Sequence, residues 1–141
     1  MISVNYPVQA PYREIAGAGL QPALLVPLIR NKAAARALAI LDTGSSITVF
    51  NLEVAEFLGI DDLTCGERAT ARTHGGLVDF FLFDLEMEVQ LPGHGSDRFP
   101  ARVGFLASHR ARNILGRNIL FARYQIGFRE SRQMILLRPE H

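Results

Sequence analysis

The sequence predicts an all-β chain closed into a small barrel, with one or two short helices, and three observations predict it. Short apolar runs bounded by turn residues recur from end to end, the pattern that a closed barrel of many short strands requires. One run keeps Phe81, Phe83, Leu85, Met87 and Val89 on one parity, opposite Asp84, Glu86 and Glu88, so a single face can be buried. Helical spacing is confined to one segment, where Val49, Leu52, Val54, Ala55, Leu58 and Ile60 recur at three- and four-residue steps.

Taken in order, residues 24–29 form a short apolar strand in which Pro27 marks an edge or a bulge, and Arg30-Asn31-Lys32 is a turn. Residues 36–41 run apolar into Asp42, as a buried strand does. A helix of about two turns follows, with Asn51 as its N-cap and Gly59 at its close. Residues 67–73 and 77–89 pair as a long hairpin with His74-Gly75-Gly76 between them. Residues 92–96 are a surface turn. The chain ends on strands at 99–106, 124–128 and 134–137, with an apolar segment around Gly116.

At 141 residues, 48% hydrophobic and 21% charged, the chain is expected to be one domain, 1–141, with ample apolar material for a core. Residues 1–22 carry no clear element; an interface strand and a loose arm both remain open. The net charge is +1, with 6 basic and 11 acidic residues over 1–96 and 9 and 3 over 97–141. The later arginines never cluster densely, which argues against phosphate tracking, so no nucleic-acid partner is expected. No apolar run approaches the length of a bilayer span, and no secretory leader is expected at the start. A single cysteine, Cys65, forms no internal disulfide, and a cytoplasmic protein is the default.

Asp42 is the residue that most needs a chemical reason. A carboxylate at the end of an apolar strand is costly to bury alone and should be paired, hydrogen-bonded or set at a cleft. Thr43, Gly44, Ser45 and Ser46 follow it; as a bare pattern this is also an ordinary turn.

With the hairpin and the segment Asn113-Ile114-Leu115-Gly116-Arg117-Asn118, the strand into Asp42-Thr43-Gly44-Ser45 resembles the retropepsin-like aspartic peptidases, the single-lobed relatives of pepsin. The three elements occur in the family's order and span residues 24–137. The resemblance implies an acid-protease barrel in which the loop bearing Asp42 lies beside the strand at Ile114-Leu115. It implies Asp42 as the catalytic carboxyl, Thr43, Gly44 and Ser45 as its loop, and His74, Gly75 and Gly76 as the tip of a flap over the substrate. Ile114, Leu115, Gly116 and Arg117 are implied as the second signature that supports the loop. Two carboxyls sharing one water can hydrolyse a peptide when one is ionised and the other protonated, and close like charges split their titrations in that way. Only one Asp-Thr-Gly is present, so the resemblance implies a homodimer with one Asp42 from each subunit. It implies a peptide or unfolded protein as substrate, and no metal or organic cofactor. Retroviral members carry an acidic residue, paired with the signature arginine, where this chain has Ser46. The helix after Phe50 also reads as longer than theirs, which sets the chain nearer cellular or bacterial relatives. The alternative is a dimeric binding or scaffold module with the same fold and no turnover.

Other candidates are weaker. His74, His94, His109 and His141 share no metal-ligand spacing with one another, with Cys65 or with a carboxylate. Asp61-Asp62 reads as a solvated turn, Cys65 as an inert, buried or half-buried thiol, and neither Ser45 nor Ser46 sits in a nucleophile elbow. Gly17 and Gly19 lack the spacing and the helix of a phosphate loop.

Overall fold

A computed structural model of the chain describes residues 5–73 and 75–140. In chain order the strands are β1 (Val8–Pro11), β2 (Arg13–Ile15), β3 (Gly19–Gln21), β4 (Ala23–Arg30), β5 (Ala33–Leu41) and β6 (Val49–Phe50). Helix α1 (Leu52–Phe57) follows, then β7 (Glu67–Thr73), β8 (Gly76–Gln90), β9 (Ser96–Phe105) and β10 (Ile114–Leu115). Helix α2 (Leu120–Arg123), β11 (Tyr124–Arg129) and β12 (Met134–Pro139) end the chain, and single 3-10 turns lie at Leu63–Cys65 and Glu130–Arg132.

Hydrogen bonding closes these strands into a ring. The main sheet runs β4-β5-β10-β6-β9-β8-β7, and β4 also pairs with β8. The 15 residues of β8 make that closure possible. One edge of its first half pairs with β7, from Gly76↔Thr73 to Leu82↔Glu67, and the same edge further along meets β4 at Met87↔Leu28 and Glu86↔Ile29. The other edge pairs with β9 from Phe81↔Phe105 to Gln90↔Ser96. The all-β barrel with two short helices is therefore observed. Pro27 lies one residue before the β4–β8 pairing begins, where its missing N–H costs no bond to β8.

The interior is filled by the alternating faces of these strands. Ala35, Ala37, Ala39 and Leu41 of β5 point in, as do Phe83, Leu85, Met87 and Val89 of β8 and Phe99, Ala101, Val103 and Phe105 of β9. Phe105 packs against Phe50 and Phe83, with ring centroids 6.1 and 5.8 Å away. Small alanines on β5 face large aromatics from β6, β8 and β9, which fills a tapering barrel without voids. Phe81 is half-buried against this core, while Phe80, on the opposite parity, is also buried. The ring of Phe80 covers Gly104, where an added Cβ would lie 2.7 Å from Phe80 Cδ2. That parity change lets the hairpin leave the barrel wall at Phe80.

The expected helix after Asn51 is observed. Val49 and Phe50 belong to β6, and α1 starts at Leu52, where Asn51 Oδ1 accepts the Val54 N–H at 3.1 Å. Residues 8–21, unassigned from sequence, hold β1, β2 and β3. β1 pairs antiparallel with β12, from Val8↔Leu137 to Pro11↔Met134, in a sheet of order β1-β12-β11. The Tyr12 hydroxyl donates to Glu130 at 2.7 Å; burial first, then Glu130, raises its pKa to about 12. Arg123 donates through Nε and Nη2 to both oxygens of Asp97 at 2.7 and 2.8 Å, stacks over Phe99, and so ties α2 to β9.

Because Phe105 has no exposure and anchors three strands, Phe105→Ala should cost about 3–5 kcal/mol, the usual range for a buried aromatic. Urea unfolding of the two proteins measures it; a loss below about 1 kcal/mol would place the core elsewhere.

Candidate active site

Asp42 follows the last residue of β5, where the strand leaves the barrel. Its backbone is still held, since Asp42 N donates to Leu115 O at 3.0 Å, while its side chain is half-buried at the mouth of the turn. Gly44 N donates to Asp42 Oδ1 at 2.8 Å, and Ser45 N to Asp42 O at 3.2 Å. Ser45 Oγ donates to Ile47 O at 2.7 Å and accepts from Ile47 N at 3.3 Å, which closes the loop. One oxygen of Asp42 is thus fixed by the backbone, and Oδ2 makes no hydrogen bond among the described residues. Thr43 and Gly44 are exposed at the apex.

The loop is braced by a strand that passes between its two ends. β10 pairs parallel with β5 at Ile114↔Ile40 and Leu115↔Leu41, and antiparallel with β6 at Ile114↔Val49. It therefore sits between the strand entering the Asp42 loop and the strand leaving it. Just beyond, Arg117 N donates to Ser45 O at 2.9 Å. Gly116 lies against the loop so closely that a Cβ would stand 2.0 Å from Ile47 O, closer than any side chain tolerates. Ile114, Leu115, Gly116 and Arg117 are brought against Asp42, Thr43, Gly44 and Ser45 by main-chain contact.

Thr48 is the residue that the sequence did not single out. Only 1% exposed, its hydroxyl donates to Asn118 Oδ1 at 2.8 Å and accepts from Gly116 N at 3.1 Å. A lone hydroxyl between Ile47 and Val49 was the available signal, because a buried polar group implies a partner. Asn113 adds a second brace: Oδ1 accepts from Asn51 N at 2.9 Å, and Nδ2 donates to Leu38 O at 3.2 Å.

The hairpin of β7 and β8 ends in a two-residue tip, with Thr73↔Gly76 as its last pair. His74 lies outside the described residues. Gly75 N donates to Thr73 Oγ1 at 3.2 Å, and Thr73 Oγ1 donates to Gly76 O at 2.9 Å, so the side chain of Thr73 closes the turn. Leu77 is 67% exposed just behind the tip. Across the arms, Asp79 accepts from Arg68 Nη2 at 2.6 Å and from Thr70 Oγ1 at 2.9 Å. The Thr70 hydroxyl first, then Arg68, hold the Asp79 carboxyl below its ordinary range.

The weaker candidates fall into structural places. Asp62 caps the 3-10 turn by accepting from Thr64 N at 2.9 Å. His109 pairs with Glu56 and His94 turns to Pro92 O; Cys65, expected to be buried or half-buried, is instead exposed at the end of the 3-10 turn. No group of three or more His, Cys, Asp or Glu is placed to hold a metal among the described residues. No described helix is long and apolar enough to cross a membrane.

No protein-family model matches the sequence, and no curated protein matches it. Solved structures do. A retropepsin-like aspartic protease from Rickettsia conorii superposes with a TM-score of 0.60, covering 92% of this chain and 98% of that one at 20% identity. The chain has the retropepsin-like fold. EIAV protease, solved with the inhibitor HBY-793, also matches, over 72% of this chain and 86% of that one, at 19% identity and a TM-score of 0.49. At such identities the shared property is the fold. The ring of strands and the braced loop at Asp42 are this chain's own features of that retropepsin-like architecture.

Two outcomes are expected. Gly116→Ala forces a methyl onto Ile47 O and should destabilise by about 3 kcal/mol or more, measured by urea unfolding; a near-neutral result would mean that the brace gives way freely. The lowered Asp79 titration contributes hairpin stability that is present above about pH 4 and lost as pH falls through the depressed value. Amide-exchange protection in β7 should therefore drop in acid, and Asp79→Asn should remove that pH dependence.

Proposed function

We propose that the chain is an aspartic endopeptidase working as a two-fold homodimer, with Asp42 of each subunit sharing one water. The observation that carries this reading is Asp42 itself: a half-buried carboxyl in a retropepsin-like fold, with Oδ1 fixed by Gly44 N–H and Oδ2 without a hydrogen bond among the described residues. A rigid carboxyl with one open oxygen suits proton transfer with a bound water, where heavy atoms must stay within hydrogen-bond reach through the reaction.

One such carboxyl is half of the chemistry. The attacking water must lose a proton while the scissile carbonyl gains one, so an ionised carboxyl and a protonated one have to face each other. A second Asp42, related by a two-fold axis, supplies the other half. In that pair Thr43 bonds between the two loops, and the carbonyl of Gly44 receives an N–H of an extended substrate. The hairpin tip, His74, Gly75 and Gly76, folds over the substrate as a further strand edge, which is recognition by β-augmentation. Water is the only co-reactant, and neither metal nor organic cofactor is called for. A cytoplasmic setting accords with the single thiol, since no internal disulfide depends on an oxidising compartment.

Asp42→Asn should lower cleavage of unfolded protein or peptides at least a hundredfold while sedimentation still shows a dimer. An Asn variant that cleaves as well as the wild type would sink the enzymatic reading. A wild-type dimer that binds peptides without cleaving them would point to the binding or scaffold module.

A further inference from the structure

Arg117, like Arg36 and Arg138, makes no ion pair among the described residues, and its own backbone N–H is bonded to the Asp42 loop at Ser45 O. Arg98 pairs with Glu86, Arg102 with Glu67 and Asp84, and Arg123 with Asp97. The side chain of Arg117 is exposed. Apart from Asp42, the two chain segments that meet here carry no acid: residues 43–48 are Thr-Gly-Ser-Ser-Ile-Thr and residues 113–120 contain none.

Its backbone, by contrast, is held on every side. Ile40 N donates to Asn113 O, Asp42 N to Leu115 O and Arg117 N to Ser45 O, at 2.9, 3.0 and 2.9 Å. Gly116 N donates to Thr48 Oγ1, whose own proton goes to Asn118 Oδ1. The residues before and after Arg117 are therefore both locked to Thr48, and Arg117 itself is bonded three positions from Asp42. A fixed backbone carrying an unpaired guanidinium is a partly preorganised receptor, because binding a carboxylate there requires no ordering of the backbone. The planar guanidinium accepts a carboxylate through two parallel N–H···O bonds.

We infer that Arg117 is a specificity-determining residue, selecting peptide segments that place a Glu or Asp side chain beside the Asp42 loop. The inference rests on the peptidase reading for the identity of its ligand, a peptide, but makes a separate claim about charge. No role in bond cleavage is assigned to Arg117.

The test uses the full chain carrying Asp42→Asn, so that bound peptide is not consumed. Fluorescein-labelled extended octapeptides, with Glu or its isostere Gln at each position in turn, are titrated by fluorescence anisotropy. At one position Glu should bind about two- to fivefold tighter than Gln, the scale of one solvent-exposed ion pair. That ratio should approach one in roughly 1 M salt, where screening acts over about 3 Å. Arg117→Gln should abolish the ratio, Arg117→Lys should keep part of it, and Arg117→Glu should reverse it for Lys-containing peptides. Using both neutral and reversed variants keeps the test decisive if one of them folds poorly. Equal binding of Glu and Gln peptides at every position, a preference unchanged in both Arg117→Gln and Arg117→Glu, or no peptide binding overturns the inference. So does loss of dimer in sedimentation with the Glu/Gln ratio intact, since Arg117 would then serve the subunit contact. Wild-type cleavage without charge preference sinks this inference alone. Charge-selective binding by a wild-type chain that never cleaves sinks the peptidase reading alone.

Discussion

The passage of β10 between β5 and β6 is the constraint on which the site depends. Ile114 and Leu115 pair with β5 and Ile114 also pairs with β6, and through them the strand into the Asp42 loop and the strand out of it are held at a fixed separation. A two-residue strand has little stability of its own. It persists here because its flanks are bonded as well: Asn113 to Leu38 and Asn51, Gly116 to Thr48, Arg117 to Ser45. The approach is so close that only a glycine fits at 116, and the hydrogen bonds act together with the fully buried side chain of Leu115 to hold the contact. The result is a turn whose flexibility has been removed by a distant part of the chain. Without that crossing, Asp-Thr-Gly-Ser would be an ordinary mobile surface turn.

The same separation of rigid and yielding parts runs through the hairpin. Its base is buried: Phe83 and Leu85 in the barrel, Phe80 on the opposite side over Gly104. Beyond Phe80 the arms lose contact with the core, and what joins them is the β7–β8 ladder with the cluster of Arg68, Thr70 and Asp79. Exposed ion pairs contribute little, so the outer hairpin is held mainly by its backbone ladder. A long strand that is half wall and half arm lets one element both close the barrel and carry the hairpin beyond it.

Legibility from sequence followed range. The alternation of β8, the turn at residues 74–76 and the apolar run into Asp42 are written in neighbouring residues, and they were readable. The barrel class was readable because many short apolar runs need a closed sheet. The helix capped by Asn51 was readable too; the strand at Val49 and Phe50 was not, because what makes them a strand is pairing with Ile114 and with Gly104 and Phe105, far along the chain. β1 was silent for the same reason, as its partner is the last strand. At the site, Asp42 and Gly116 stood out as a charge and a glycine among aliphatics. Thr48 did not, since its two bonds lie 68 and 70 residues away and leave no local periodicity.

Rigid support of the loop bears on why the proposed chemistry would need two copies. A loop free to move might bring a second carboxyl of its own chain to Asp42. The braced loop cannot, and residues 43–48 carry no acid to offer. Fixing Oδ1 through Gly44 N–H leaves the other oxygen of a half-buried carboxyl without a hydrogen bond among the described residues, with Thr43 and Gly44 exposed beside it. In the proposed dimer a two-fold axis would set each such oxygen toward the other and each threonine toward its mate. The proton-sharing pair would then be created by association rather than by folding. Activity in the proposed dimer would therefore depend on protomer concentration, and diluting the protein would switch the chemistry off while leaving each barrel intact.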